Sequence, residues 1–399
     1  MVDIAHQAAI NPASARDAAT TRVLVPLAAI DSCQWRALAQ RAIEPNGYYL
    51  PAWELAVSAS ARDRTGAAAL FACDGSSTRL IALMPVISLW QAFKIPLPAL
   101  VSAHPYGTLC SPLLDRDDAM EAATRLLQRA REAGAHALIL RDVALDGAAM
   151  ASLKEALGRD GLKPRVLSSY IRASLDATED GTKLLHEALG AKKLKELRRQ
   201  RHRLAEHGAI TFEVARKPDE IRPALETFLQ LEASGWKGAR GTALIQDAGD
   251  ATFIRRAVPA LAETAQCEIV TLRVGATPVA AGIVLRHQDR AFFFKLGIDE
   301  RFARHSPGVQ LTLELTRHLC ADPSIASADS TASADHSMIN PIWRGRFAIG
   351  DVLIPLRRHD PMVALIHAAL VARSCAREIA RRAVHRLRKQ ASATPPPAR

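Results

Sequence analysis

The stretch FFKLGIDERFARHSPGVQLTLEL, from Phe293 to Leu315, changes character at its centre, where an apolar pattern with helical spacing follows Ser306, Pro307 and Gly308. Serine before a helix and proline in its first turn are typical of a helix start. Gly308 has no side chain, so another molecule can approach the backbone there. Free N–H groups and the positive end of the helix dipole suit a phosphate. The stretch therefore predicts a strand, a binding turn and a helix.

Composition restricts the class of protein. The chain has 399 residues, a length that favours two domains, and a net charge of +11. Its six cysteines form no C-x-x-C pair, which indicates neither a zinc site nor a disulfide framework. No apolar run has the length of a membrane span, and the N-terminus lacks the apolar core of a signal peptide. We therefore expect a cytoplasmic protein without a metal.

The positive charge is concentrated in two segments, Lys192–Arg203 and Arg373–Lys389, so a uniformly basic nucleic-acid-binding surface is not indicated. The first segment lies on a predicted long helix with three open interpretations. It is a solvated helix between domains, a binding strip for tRNA or CoA phosphates, or a surface for acidic lipids. The second segment is an amphipathic helix that either docks on the adjacent domain or makes peripheral contact with a membrane.

The order strand, strand, strand, loop, helix, strand occurs twice, from Phe71 to Asp142 and again from Glu268 to Asp329. This layout predicts an α/β fold with two similar domains that have mixed sheets. The predicted boundaries are a flexible leader at 1–20, an N-terminal domain at 21–180, a linking basic helix at 181–208, a C-terminal domain at 209–358, and a basic C-terminal helix and tail at 359–399.

Three motifs, LEASGWKGARGTAL (Leu231–Leu244), the opening stretch (Phe293–Leu315) and DSTASADHSMINPIWRGRFAIGDVLI (Asp329–Ile354), together resemble a known family. They are similar to the acetyltransferase-like domain of GNAT-fold proteins related to the cellulose-biosynthesis protein CelD. The tandem arrangement is similar to the Fem aminoacyl transferases. The resemblance implies two tandem GNAT-like domains and transfer of an acyl group, acetyl first, from acyl-CoA to an amine acceptor. It suggests a role in polysaccharide or cell-envelope synthesis.

The resemblance also implies positions for the donor. The pyrophosphate of acetyl-CoA is expected at Ser306, Pro307, Gly308 and Val309, although this chain keeps a single glycine in that loop. A backbone N–H near the end of the preceding strand, between Lys295 and Gly297, is expected to stabilise the carbonyl oxygen.

Candidates for the remaining roles come from the residues that follow strand ends. The candidate bases are Glu232, Asp299, Asp335 and His336, with the last two preferred because a neighbouring Asp and His in a loop can reach the ligand edge of the sheet. Trp236, Lys237, Trp343 and Arg344 are candidate substrate-binding residues, with core packing as the alternative. All four tyrosines precede residue 171, so the departing thiolate would need Ser306, His318, water or Tyr106 as its proton donor.

Two other functions are compatible with the same pattern. A Fem-like aminoacyl transferase would take its donor from charged tRNA, and the basic helix would contact RNA phosphates. A catalytically inactive GNAT-fold adaptor would use its basic helices to bind a partner. Nucleic acid other than tRNA is not expected.

Overall fold

The structure, a computed structural model, describes residues 23–75 and 78–393. The predicted leader at 1–20 lies outside them, as do the side chains of Trp236, Lys237 and residues 383–393. Thirteen strands in this part of the chain join in one continuous mixed sheet. We call residues 23–176 the N-terminal half and residues 181–355 the C-terminal half.

The N-terminal half carries the first seven strands. Its elements are β1 (Leu24–Pro26), α1 (Ser32–Gln40), α2 (Pro51–Ser60), β2 (Ala68–Cys73), β3 (Leu80–Ser88), α3 (Leu89–Phe93), β4 (Ala99–Ser102), β5 (Leu113–Leu114), α4 (Ala119–Glu132), β6 (Ala137–Ala144), α5 (Ala148–Arg159) and β7 (Arg165–Asp176).

The C-terminal half begins with the predicted long helix. Its elements are α6 (Gly181–Ala205), β8 (Ile210–Ala215), α7 (Pro218–Ser234), α8 (Trp236–Ala239), α9 (Ala248–Ala262), β9 (Cys267–Val274), β10 (Thr277–His287), β11 (Arg290–Ile298), a 3₁₀ turn (Glu300–His305), α10 (Pro307–Cys320), β12 (Ser327–Asp329) and β13 (Gly345–Pro355). Helix α11 (Pro361–Ala393) follows. Helix α6 consists of two segments, because Gly190 has φ 69° and ψ 164° and interrupts it.

The internal repeat predicted from the sequence is confirmed by the strand pairing. In the N-terminal half, β2, β3 and β4 are successive antiparallel neighbours, and β4 pairs with β6 in parallel. In the C-terminal half, β9, β10 and β11 are antiparallel neighbours, and β11 pairs with β12 in parallel. A helix precedes the parallel strand in both halves. The predicted α/β fold with two similar domains and a C-terminal helix is therefore confirmed.

Each half also receives a strand from the other. Strand β13 lies between β6 and β7, and β7 pairs with β12 rather than with β6. The predicted domain boundaries follow chain order, whereas this exchange joins the halves into one sheet. Strand order in space depends on which edges are available to pair, and chain order alone does not specify it.

A buried contact anchors the β10–β11 turn in the N-terminal half. The Asn46 N–H donates to His287 Nδ1 at 2.8 Å, so Nε2 carries the hydrogen and donates to the Ala39 carbonyl at 2.9 Å. Phe292 packs edge-to-face on Tyr48, with ring centres 5.7 Å apart. Burial lowers the pKa of His287 to about 4, because the charged imidazole would lose its hydration.

The two basic helices bury narrow apolar faces. Helix α6 buries Leu194, Leu197 and Leu204 and leaves most of its cations exposed, which confirms the predicted long basic helix between the two domains. Helix α11 buries Val363 and Ile366 near its start. Across residues 23–75 and 78–393, no helix combines the length and apolarity needed to cross a bilayer.

Candidate functional site

The parallel strands β11 and β12 separate in the C-terminal half. Their last paired residues are Phe292 and Asp329. The chain then turns at Thr331, which has φ 51°, donates its N–H to Asp329 Oδ1 at 2.8 Å and bonds the Phe293 carbonyl through its hydroxyl at 2.7 Å. The buried Arg172 guanidinium pairs with the Asp329 carboxylate and fixes this point. The split is therefore held by hydrogen bonds and an ion pair.

A cavity of about 500 Å³ opens beside this split, and we call it the split-strand cavity. Three segments line it: the end of β11, the start of α10 and the loop after β12. The lining residues are Phe293, Phe294, Lys295, Leu296, Ile298, Ala303, Ser306, Pro307, Gly308, Val309, Ser330, Thr331, Ala332, His336, Met338 and Ile339. Most are apolar, so the cavity suits a largely apolar chain with a few polar groups.

A β-bulge re-aims the end of β11. Lys295 pairs with Ile283 and Phe293 pairs with Val284, which leaves Phe294 as an extra residue between them. A bulge of this kind bends its strand and redirects neighbouring groups. Phe294 and Lys295 both line the cavity as a result. Beyond Phe292, no strand of the described chain pairs with this edge of β11.

The start of α10 forms the opposite wall. Pro307 occupies the first turn, as predicted. Ser306 is left-handed, with φ 53° and ψ 51°, and its side chain makes no capping hydrogen bond, so the predicted hydroxyl cap is wrong. The first N–H groups of a helix have no intrahelical acceptor, and no acidic residue lies in this first turn. A Cβ at Gly308 would lie 3.0 Å from Leu296 Cδ2, so glycine keeps this wall open.

Basic side chains adjoin the helix start. Arg304 is exposed and donates through Nε to the buried His305 at 3.0 Å. Burial lowers the pKa of His305, and the charge of Arg304 adds to this effect. The ring of His207, just beyond α6, stands 5.8 Å from that of His305. Arg304 therefore places a positive charge in the 3₁₀ turn that directly precedes the predicted phosphate position.

Two predicted residues form a buried ion pair at the edge of the cavity. The side chain of Glu232, on α7, places Oε1 3.2 Å from Lys295 Nζ and accepts the Leu244 N–H at Oε2, 3.0 Å away. Lys295 lines the cavity, and its ammonium lies 5.8 Å from the ring centre of Tyr106 in the N-terminal half. Thus Glu232 and Lys295 lie where the two halves meet.

Gly297 has a packing role. A Cβ there would lie 2.8 Å from the Glu232 backbone nitrogen, so glycine lets α7 approach β11 closely. Gly297 is absent from the cavity lining, whereas the other predicted donor positions, Lys295 and Ser306–Val309, all lie on it. The structure thus places Gly297 in the contact between α7 and β11 and not on the cavity wall, where the donor was predicted to bind.

The four predicted bases are dispersed. His336 lines the cavity, and its Nδ1 accepts the Ile339 N–H at 3.4 Å, which favours a hydrogen on Nε2. Asp335 is exposed and lies off the cavity. Asp299 is bonded to Arg301, which lowers the pKa of its carboxyl group, and it also lies off the cavity. Glu232 reaches the cavity through Lys295.

The predicted substrate-binding residues do not gather at the cavity. Trp343 is fully buried and donates through Nε1 to Thr316 Oγ1 at 2.9 Å, so the structure places it in the core. Arg344 is exposed and away from the cavity. The side chains of Trp236 and Lys237 lie outside the described part of the chain.

Sequence reasoning missed several lining residues, notably Phe294, Thr331, Met338 and Ile339. The last three belong to the motif that begins at Asp329, which was the signal available for them. Phe294 likewise lies in the motif that begins at Phe293, but nothing in that motif indicates a β-bulge there. Among the described residues, no group of three or more His, Cys, Asp or Glu side chains could hold a metal ion.

Comparison with known proteins agrees with this geometry. Residues 191–336 match the family described as Acetyltransferase (GNAT) domain. No curated protein sequence is significantly similar to the chain. The crystal structure of FemX is 13% identical, with a TM-score of 0.56 and coverage of 85% of this chain and 98% of FemX.

Two further structures share the fold. The C-terminal domain of a putative lysylphosphatidylglycerol synthetase from Agrobacterium fabrum is 14% identical, with a TM-score of 0.52 and coverage of 85% of this chain and 95% of that domain. L-PGS from Bacillus licheniformis is 13% identical, with a TM-score of 0.50 and coverage of 85% and 97%. At this identity the likeness concerns the fold alone, and none of these comparisons points to CelD. Residues 191–336 are therefore similar to a GNAT acetyltransferase domain, and the chain as a whole has a tandem GNAT-like fold.

Proposed function

We propose that the protein transfers an acyl group, acetyl first, from acyl-CoA to an amine acceptor. One observation carries this proposal: the split-strand cavity joins an open helix start to the free edge of a separated strand pair. The helix start offers N–H groups to a pyrophosphate, and the strand edge offers a backbone donor to a carbonyl oxygen. Acyl transfer from a thioester needs both.

The donor fits the cavity by its chemistry. Its phosphates would lie at the N–H groups of Gly308 and Val309, beside Arg304. Its pantetheine arm would run along the apolar wall, between β11 and Ser330–Ala332. The acyl carbonyl would then meet the backbone near the bulge at Phe294.

The acceptor amine would enter between the halves, beside Tyr106 and Lys295. We assign Glu232 the role of proton acceptor, because its carboxylate is buried and fixed by Lys295 and by the Leu244 N–H. The Lys295 ammonium would favour the oxyanion that forms on the carbonyl. Tyr106 already donates its hydroxyl to Asp250 at 2.6 Å, so we assign it no role with the thiolate. A sugar or cell-envelope amine as acceptor rests on the sequence resemblance only.

The test is Gly308→Asp. The substitution crowds Leu296 and places an unpaired carboxylate beside the bound phosphate, so we expect acetyl-CoA affinity to fall roughly 100-fold. Calorimetric titration measures it. The control is Gly158→Asp, at an exposed helical glycine where a Cβ meets nothing within 4 Å. Equal affinity in Gly308→Asp and the control would rule out the assigned phosphate position.

A Fem-like, tRNA-dependent aminoacyl transferase is the second candidate. It is favoured by the exposed cations of α6 that have no carboxylate partner among the described residues, namely Lys192, Lys195, Arg198, Arg199 and Arg203. Binding of charged tRNA should then fall steeply with salt, and replacing Lys195, Arg198 and Arg199 by Gln should reduce that slope. Binding of neither acetyl-CoA nor tRNA would indicate a non-enzymatic adaptor.

A further inference from the structure

A second cavity lies between α11 and the sheet, and it shares no lining residue with the split-strand cavity. Its volume is about 350 Å³, and we call it the arginine hollow. The sheet contributes residues from β6, β7 and β13, α3 contributes Phe93, and α11 closes one side. The apolar lining residues are Phe93, Ile139, Val166, Leu167, Leu370 and Val371.

Three guanidinium groups converge on this apolar surface. Arg373 lies 4.9 Å from the ring centre of Phe93, Arg141 lies 5.8 Å from the same ring, and Arg377 also lines the hollow. None of the three has a carboxylate within 4.0 Å among the described residues. Stacking on an aromatic ring leaves the N–H edge of a guanidinium free to bind an anion.

Two carboxyl groups lie nearby, but neither forms a direct ion pair with these arginines. Asp351 lines the hollow, but its Oδ1 accepts the Asp142 N–H at 3.0 Å. Asp142 follows Arg141 in β6, and its carboxylate lies 3.4 Å from the Tyr170 hydroxyl. Burial, and then the charges of Arg377 and Arg141, lower the pKa of Arg373, as expected where positive charge is not compensated. The remaining titratable side chains of the lining are His367 and Cys375.

The rim of the hollow is apolar and open to solvent. Val166 is 59% exposed and Val371 is 44% exposed. Trp90, next to Phe93 on α3, is 54% exposed. Exposed apolar side chains around arginines that lack an ion-pair partner are typical of a binding surface rather than of ordinary protein surface.

We propose that the arginine hollow binds an amphipathic anion, a phosphate or carboxylate headgroup joined to an apolar chain. Arg141, Arg373 and Arg377 hold the headgroup through charge-assisted hydrogen bonds. The chain lies along Ile139, Val166 and Leu370. The site is independent of the proposed acyl transfer, because it lies on other elements and shares no residue with the split-strand cavity.

The test uses the full chain and dodecyl phosphate below its micelle concentration, followed by calorimetry. We expect saturable binding that inorganic phosphate at the same concentration does not match. The double variant Arg141→Gln and Arg373→Gln should weaken binding by at least roughly tenfold, since each charged hydrogen bond contributes more than a neutral one. Arg377→Gln provides a second variant with a smaller loss. The control is Arg381→Gln with Arg382→Gln, exposed on the same helix and away from the hollow.

A vesicle arm identifies the source of the anion. If the hollow takes a membrane lipid, the protein co-sediments with phosphatidylglycerol vesicles and not with phosphatidylcholine vesicles, and the double variant does not co-sediment. If it takes a free amphiphile, dodecyl phosphate binds and neither vesicle retains the protein. The proposal is overturned if dodecyl phosphate shows no saturable binding, or if the double variant and the control pair bind it equally.

Discussion

The two halves of the molecule share one layout, but they differ in what surrounds their strand split. In the C-terminal half a cavity opens there. There, pairing ends at Phe292 and Asp329, and the chain turns away at Thr331. The neighbouring residues of the separated strands face a space of about 500 Å³. The ion pair of Asp329 and the two hydrogen bonds of Thr331 hold the strands apart.

In the N-terminal half the corresponding split is closed. Parallel pairing of β4 with β6 ends at Val101 and Ile139. Just beyond, the Arg141 N–H donates to Ser102 Oγ at 2.8 Å, and the Cys110 N–H donates to the Asp142 carbonyl at 3.1 Å. Cys110 itself is buried. Backbone groups that could bind a ligand are therefore bonded within the protein.

The helices that precede the parallel strands, α4 and α10, also differ in the charge around their first residues. Asp115, Asp117, Asp118 and Glu121 surround the start of α4, and Arg79 bonds two of these carboxylates. The start of α10 has no acidic residue in its first turn and follows Arg304 and His305. A phosphate would be repelled at α4 and attracted at α10. The fold therefore supplies the position twice, and the side chains give the two helix starts different electrostatic surroundings.

The comparison is tested most strongly by the same substitution in each half. Glu232→Gln should lower kcat by roughly 100- to 1,000-fold, with little change in acetyl-CoA affinity, because it removes the proposed proton acceptor. Glu54→Gln, on α2, should leave kcat nearly unchanged, since Glu54 is not among the residues that line the split-strand cavity. Burial also raises the pKa of the Glu54 carboxyl group well above its ordinary value, so an uncharged amide suits this position. Steady-state kinetics with melting curves measures both.

Two further variants address the dispersed bases. Asp335→Asn and Asp299→Asn alter carboxylates that lie off the cavity, so each should retain most of the activity. If either variant lost as much activity as Glu232→Gln, the proton acceptor would instead be Asp335, in the loop after β12, or Asp299, at the end of β11.

The junction between the halves should weaken in acid. The pKa of His287 is about 4 in the folded protein, below the ordinary value of 6.5. From pH 6.5 down to about 4 the unfolded chain binds a proton that the folded protein does not, so stability falls across this window by at most roughly 3 kcal/mol. Urea unfolding at several pH values measures it.

A matched variant isolates the histidine. His287→Gln should show a shallower loss of stability with acidification than the unchanged protein. The half-buried His104 contributes to the loss in both proteins, because desolvation lowers its pKa to about 3. His186→Ala, at an exposed position of α6, should keep the full slope. If the free energy of unfolding changed with pH equally in His287→Gln and in the unchanged protein, His287 would not be a source of the pH dependence.

The smallest expected effect concerns charge at the two helix starts. Ser306→Asp brings to α10 the negative charge that α4 already carries, and should weaken acetyl-CoA binding by about tenfold. Ser306→Asn has the same shape without the charge and tolerates the left-handed backbone, so it should bind nearly as well. Asp118→Asn, at the start of α4, should leave acetyl-CoA binding unchanged. Titration calorimetry compares the three, and equal losses for Asp and Asn would exclude an electrostatic cause.

Local features were predictable from the chain alone. Hydrophobic spacing predicted most helices and strands and the repeated layout, because periodicity is a property of neighbouring residues. The start of α10 was likewise readable from Pro307 and Gly308, although the cap assigned to Ser306 was wrong because its left-handed backbone removes the hydroxyl from capping geometry. Five of the six predicted donor-binding positions lie on the cavity, since they are consecutive or nearly so.

Contacts between distant residues were decided only by the tertiary structure. The exchange of β7 and β13, the extra residue at Phe294, the burial of Trp343 and the pairing of Glu232 with Lys295 each depend on partners far away in the chain. Single-residue patterns carry the local preferences of a segment, but they do not specify which surface will cover it. The sequence therefore determined where helix α10 starts, and the packing of the halves decided which side chains face that start.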